Sequence, residues 1–329
     1  MGTAMQSLAF EEVFAILSGL PLQTEQLGRL RAWLASLVHP GECLAIIAQA
    51  AGTPACPHCA CTRVHRCGSA SALQRWRCLG CRRSYNALTG TPLARLRKKE
   101  AWLPFLHTVL DSDTVRKAAV RVGVHRTTSF RWRHRFVPGA ARERPSRLAA
   151  IVEADETYRL ESQKGSRTLD RVPRRRGGVA RRRGISREHD CLLVARDRNG
   201  QTLDFHTGRG PVTVAQLKTC LRPVLPADVL LVSDAAAAYR TFARNIGITH
   251  EAVNISAGVR TRGAIHIQNV NGWHARFKTW LVRFRGVASR YLIHYSGWQR
   301  LLDDKRLTTP AQLLRAIVAS GKRAIDVLN

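Results

Sequence analysis

Apolar residues recur at helical spacing through residues 1–50: Leu8, Phe10, Val13, Phe14, Ile16 and Leu17, then Leu27, Leu30, Trp33, Leu34 and Leu37. That period predicts two helices with Pro21 between them. Farther along, Val115, Ala118, Ala119 and Val122 make one apolar face and Gly123 supplies a turn. A second helix is expected from His125 through Phe136, with Phe130 as its core anchor. Pro138, Gly139 and Pro145 predict a linker. Beyond it the pattern becomes that of strands. Ile151, Val152, Ala154, Thr157 and Tyr158 predict one, residues 191–197 and 202–206 two more, and Val229–Val232 a buried fourth with Asp234 at its end. A helix over Ala235–Arg244 follows, closed by Gly247. Phe277, Trp280, Leu281 and Phe284 form the apolar face of another helix, preceded by Asn269 or Asn271. Helices bearing Tyr291, Tyr295 and Trp298 are expected to pack against this core.

Charge changes the picture. The chain of 329 residues carries 53 Lys and Arg against 23 Asp and Glu, a formal charge of +30. Its hydrophobic share of 45% is that of a folded protein, so the excess charge is not a sign of disorder. A polyanionic partner is implied, either nucleic acid or an anionic membrane surface. No apolar run is long enough to span a bilayer and no leader-like segment opens the chain, so a soluble, cytoplasmic protein with nucleic acid as partner and no membrane is expected. The charge is uneven. Residues 171–187, RVPRRRGGVARRRGISR, hold eight arginines and no acid, and their glycines and proline predict a loop. Arg174, Arg175 and Arg176 are its central phosphate-gripping candidates.

Nine cysteines in such a setting suggest metal rather than disulfides. Cys56 and Cys59 pair with Cys78 and Cys81 at the C-x2-C-x18-C-x2-C spacing of a zinc ribbon, a closed and therefore structural site. His58, Cys61, His65 and Cys67 are surplus, although His58 or Cys61 could replace a neighbour. The helical pair after the ribbon fits a helix-turn-helix, whose second helix would offer Arg126, Thr127, Thr128, Arg131 and Arg135 to DNA.

Against this basic background, IVEADETY at 151–158 gathers Glu153, Asp155 and Glu156 on one half-buried strand, where a carboxylate needs an arginine or a metal ion. Strand alternation puts Glu153 and Asp155 on one face and Glu156 on the other. Glu153 is therefore the candidate auxiliary acid and Glu156 the candidate ion-pair partner. Asp234 lies where α/β sheets place ligands, although a lone Asp there also serves as a helix cap. Asn271 and Lys278, seven residues apart, share one side of their helix.

A meander, a helix, a strand ending in Asp and a helix with a polar ligand is the order of an RNase H-like fold. With ADETY, PRRRGGVARRRGISRE, SDAAAAY and HIQNVNGWHARFK, the chain resembles insertion-sequence transposases of the DDE superfamily, in the zinc-ribbon subgroup with an Asp-Asp-Asn-Lys signature. The resemblance covers nearly the whole chain. It implies Asp155, Asp234 and Asn271 as ligands of catalytic Mg²⁺ or Mn²⁺, and Lys278 as a lysine near DNA. The function it implies is a bacterial, nucleoid-associated DNA transposase that binds terminal repeats, cuts strands and transfers them to target DNA as a homo-oligomer. A non-cutting DNA-binding regulator and an RNase H-like nuclease without joining are the alternatives. The expected fold is α/β: a helical module at 1–50, a zinc ribbon at 51–95, a helix-turn-helix domain at 96–145, an RNase H-like catalytic domain at 146–300 and a helical tail at 301–329.

Overall fold

The computed structural model describes residues 10–52, 54–175, 177–253, 258 and 261–321. Helices α1 (Phe10–Gly19) and α2 (Thr24–Ala51) come first, separated around Pro21. A three-stranded antiparallel sheet follows: β1 (Val64–Ala70), β2 (Leu73–Cys78) and β3 (Ser84–Asn86). Helices α3 (Trp102–Leu110), α4 (Val115–Val122) and α5 (Arg126–Ala140) lead to the main sheet. Local chemistry sets the α4–α5 corner. Thr114 caps α4 by accepting the Lys117 N–H, Gly123 ends it in the left-handed region at φ 68°, and His125 caps α5 through the Thr127 N–H.

The main sheet comprises β4 (Ile151–Leu160), β5 (His189–Asp197), β6 (Thr202–Arg209), β7 (Leu230–Asp234) and β8 (Thr249–Val253), in the order β6-β5-β4-β7-β8. The first three form an antiparallel meander, and β7 and β8 add in parallel beside β4. Helices α6 (Val214–Leu221) and α7 (Ala237–Ile246) precede and follow β7. Their core with Val152, Ala154, Leu193 and Leu231 covers one face of the sheet. Leu192, Val194, Val232 and Val253, from the opposite face, belong to the other core with α8 (Gln268–Val282) and α9 (Leu292–Asp304).

That second core does not stop at the sheet. It runs through Trp280 and Trp298 into Trp102, Phe105, Trp132 and Phe136 of α3 and α5, and into Leu313, Leu314, Ile317 and Val318 of α10 (Pro310–Gly321). Cys43, Ile46 and Ile47 of α2 join it. Close helix approaches make this possible. A Cβ at Gly139 would stand 2.8 Å from Ile317, and one at Gly297 would stand 2.6 Å from the Ala141 Cβ.

Two expectations are corrected by these contacts. Pro138 and Gly139 are not in a linker but in the last turn of α5, where Gly139 lets α10 pack closely. Phe130 is not a core anchor: it is 41% exposed, because the buried stripe of α5 runs through Ser129, Trp132, Arg133, Phe136 and Val137. Phe130 instead meets His134 edge-on, and His134 stacks on Tyr291.

Candidate active site and nucleic-acid surfaces

Asp155 and Asp234 come together because β4 and β7 run parallel. Their register pairs Glu153 with Val232 and Ala154 with Ser233, so the next step along each strand is the two aspartates. Both sit at the half-buried end of the pairing. Asp234 uses one oxygen to accept the Ala236 N–H (3.0 Å) ahead of α7. The turn and the site thus share its carboxylate. The carboxyl of Asp155 is pushed up to about 6, first by burial and then by the charge of Asp234, with Lys278 and the Glu156 N–H opposing. Two facing acids with too little positive charge around them are the donor set a hard divalent cation would relieve.

Helix α8 lies over these acids. It begins at Gln268, so Asn269 and Asn271 are inside its first turn rather than ahead of it. Its start is held from a distance. Glu153, 0% exposed, accepts from Asn269 Nδ2 (2.8 Å) and from the Val270 N–H (2.9 Å), and pairs with Arg198 (3.1 Å). A carboxylate at a helix N-terminus is favourably placed against the helix dipole. The strand faces come out as alternation predicts, but the ion pair expected at Glu156 is found at the other glutamate. Glu153 is the ion-pair partner, while Glu156 accepts a hydrogen bond from the buried Tyr239 hydroxyl on the opposite face. Burial, then the nearby Asp155 and Asp234 charges, push Glu156 up to about 7 against that hydrogen bond.

Asn271 and Lys278 are exposed on α8, and His274 lies between them in the same stripe, three residues from one and four from the other. His274 is buried, and its Nδ1 stands 3.6 Å from Asp155 Oδ2. Burial, aided by Lys278, pulls the imidazole down to about 3, so it is neutral. The histidine escaped the sequence reading although its spacing from Asn271 and Lys278 would have found it. Beneath Asp234, Ser233 Oγ lies 2.9 Å from His250 Nε2, fixing the end of β7 against β8.

Among the described residues, the one close gathering of three or more His, Cys, Asp or Glu donors is that of Cys56, Cys59, Cys78 and Cys81, all within 4.8 Å of one another. The Cys81 N–H reaches Cys78 Sγ at 3.4 Å and holds that thiol below its ordinary range. Four converging sulfurs are compatible with a zinc ribbon. His58, Cys61, His65 and Cys67 lie outside this set.

On α5, Arg126, Thr127 and Arg131 are exposed and Thr128 is half-buried; Arg135 is exposed and donates to the Pro92 carbonyl (3.2 Å). The arginine loop is organised by two acids. Glu161 receives Arg171 (2.7 Å) and Arg209 (3.2 Å), and Glu188 receives Arg174 (3.0 Å) and the N–H groups of Arg181 and Arg182. Arg174 is therefore built into the loop's frame, whereas Arg175 is exposed; Arg176 lies outside the described residues.

No helix among the described residues is long and apolar enough to cross a membrane. Solved structures similar to this chain include a pre-cleavage Mos1 transpososome, at 15% identity over 66% of this chain and 78% of that one with a TM-score of 0.22. A Mos1 transposase paired-end complex with left transposon end is similar at 18% identity, 61% and 75% coverage and a TM-score of 0.20. Superpositions this loose carry no argument. Sequence similarity does. A family model described as an ISXO2-like transposase domain matches residues 147–298, which span the main sheet, α8 and most of α9. An uncharacterized protein in transposable element ISH50 of Halobacterium salinarum is 30% identical over 246 residues, covering 73% of this chain and 82% of that protein. With the acids of β4 and β7 inside the matched stretch, the chain belongs to the insertion-sequence transposases of the DDE superfamily.

Proposed function

We propose that the protein is a DNA transposase that binds the terminal repeats of its element, cuts the strands at its ends and joins them to target DNA. The observation that carries this reading is the parallel register of β4 and β7, which sets Asp155 beside Asp234 beneath the stripe of α8 that bears Asn271 and Lys278. The antiparallel meander with parallel strands added beside its first member supports an RNase H-like catalytic domain at 146–300. The ribbon at 51–95, the helix-turn-helix at 96–145, the helical module at 1–50 and the tail at 301–329 are the remaining parts.

Divalent cations, Mg²⁺ or Mn²⁺, held by Asp155, Asp234 and the Asn271 amide oxygen would activate the attacking oxygen and stabilise the leaving one. The protein's own residues do the rest. Glu153 fixes the first turn of α8, and with it Asn271, against β4. Lys278, exposed on the same stripe, is placed to neutralise a phosphate beside the acids. Arg126, Thr127, Thr128, Arg131 and Arg135 on α5 read or grip the repeat, and Arg174, Arg175 and Arg176 belong to a loop that holds phosphates without regard to sequence. Zinc on the four cysteines fixes the ribbon. The active form is a homo-oligomer on double-stranded DNA.

The experiment is a pair of measurements on labelled repeat DNA with full-length protein. Asp155→Ala should bind the repeat as the native chain does and cut none of it. Arg131→Ala should bind more weakly. Cleavage by Asp155→Ala would refute the active-site assignment, and binding without cleavage by the native chain would favour a non-cutting regulator.

A further inference from the structure

Phe130 is the side chain of α5 that packing within the fold leaves over. Ser129, Trp132, Arg133, Phe136 and Val137 make the stripe that meets the core. The other face carries Arg126, Thr127, Phe130 and Arg131, all exposed and spaced to lie together. One large apolar ring, 41% exposed, therefore stands among cations and a hydroxyl. A lone exposed phenylalanine is ordinary on a protein surface. This one is braced from behind. Its ring meets His134 edge-on at 4.5 Å, and His134 stacks on Tyr291 at 3.8 Å with the planes 21° apart. The Arg290 guanidinium lies 4.7 Å over the Tyr291 ring. The short helix Ser289–Tyr291 that bears both is pinned in turn. The Ser289 N–H donates to the Ser162 carbonyl (2.8 Å), the Ser162 N–H to Ser289 Oγ (2.9 Å), and that hydroxyl to buried Asp190.

Resting on the reading of α5 as the helix that binds the terminal repeat, we propose that Phe130 is a specificity-determining residue that packs on the C5 methyl group of a thymine in the major groove. The occupant follows from what duplex DNA offers. Phosphates and most base edges present charge, donors and acceptors, which suit Arg126, Thr127 and Arg131. A phenyl ring satisfies none of these, and pressing it on a polar edge would leave that edge unpaired. The thymine methyl is the apolar group of the major-groove edge, and the other three bases lack it. Position agrees. Helix α5 begins at Arg126, so Phe130 falls in its N-terminal half, the part that reading helices set against base edges. The brace also helps affinity, because a ring already ordered loses little side-chain freedom on meeting the base.

The test removes that methyl and nothing else. Full-length, zinc-loaded protein is titrated into fluorescent duplexes of its element's terminal repeat, with each thymine replaced in turn by deoxyuridine. Anisotropy at fixed salt gives Kd for the native chain, Phe130→Ala, Phe130→Leu and Arg131→Ala, with melting curves to show that each is folded. For the native chain we expect one replacement to weaken binding about fourfold, the worth of one buried methyl group. Phe130→Ala should bind that uracil duplex and its thymine parent equally, and Phe130→Leu should keep part of the difference. A native chain indifferent to every replacement overturns the inference, as does a thymine preference that survives in Phe130→Ala. Either result leaves α5 as the reading helix if Arg131→Ala still weakens binding. Repeat binding unchanged in Arg131→Ala removes α5 from the DNA, and the inference with it. Failure of both Phe130 variants to fold also overturns it, since the ring would then serve the fold.

Discussion

Glu153 is the residue on which the placement of α8 turns, and its removal has a magnitude that can be worked out. Alanine there deletes the acceptor of Asn269 Nδ2 and of the Val270 N–H, and leaves Arg198 without its counter-charge. A buried donor left unbonded costs about 1–3 kcal/mol. Breaking a buried ion pair from one side costs about 3–5 kcal/mol, but the Arg198 side chain keeps 24% exposure, so water recovers part of that charge. Both losses come from one carboxylate and do not add. Glu153→Ala should therefore lose about 3 kcal/mol of unfolding free energy. Glu153→Gln keeps an acceptor for the helix start and loses only charge, so about 1–2 kcal/mol is expected.

The assay is urea unfolding of zinc-loaded protein, followed by the fluorescence of Trp273 and Trp280, which lie on α8 itself. A double variant sharpens it. Replacing Glu153 and Arg198 together by methionine removes both charges, and should be at least about 1 kcal/mol more stable than Glu153→Met alone. If Glu153→Ala unfolds within about 1 kcal/mol of the native chain, the carboxylate is not what seats α8 and the reasoning fails.

Three further outcomes are expected. Purified protein should hold one zinc, and Cys78→Ala should lose it together with the fold of the ribbon, which metal analysis and limited proteolysis both read. Arg175→Ala should lower the salt slope of DNA binding by about one, while Arg174→Ala should chiefly loosen the loop that Glu161 and Glu188 organise, seen as faster proteolysis between residues 171 and 187. Asn271→Ala should bind repeat DNA normally and lose cleavage, with Asn271→Glu retaining part of it; full cleavage by Asn271→Ala would remove that residue from the ligand set.

What the sequence made legible was whatever is decided locally. The cysteine knuckles, the α4–α5 corner at Gly123 and the strand–turn–helix around Asp234 rest on residues close together in the chain. Alternation along β4 also placed its three acids on their faces correctly. It could not say what waits on each face, because Arg198 comes from 45 residues away, Tyr239 from 83 and the start of α8 from 117. The start of α8 escaped for the same reason: Ile267 offers no side-chain cap, and the acceptor is supplied by Glu153 across the fold. Phe130 misled because size suggested burial, whereas the stripe of α5 is set by which side meets α3 and α9.

The continuity of the core raises the question of what fixes α5, the proposed reading helix, relative to the acids. Arg133 is the contact to weigh. It is 1% exposed, donates to the Asp113 carbonyl, and lies 5.0 Å over Trp298 and 5.6 Å over Phe284, yet its Nε has no partner. Burial lowers its pKa, which says that the protein interior disfavours the charge. Two cation–π contacts return about 0.5–2 kcal/mol each, against a desolvation cost of several kcal/mol for the ion. The charge is then close to neutral in balance, and the stem and planar head act mainly by filling space. Arg133→Met should leave stability within about 1 kcal/mol of native, while Arg133→Ala should cost about 3 kcal/mol through the cavity it opens. Urea unfolding of the two variants separates the accounts. If methionine costs as much as alanine, the guanidinium itself holds α5 to the core. If it does not, shape holds it, and the proposed reading helix is seated by the same aromatic packing that carries α8.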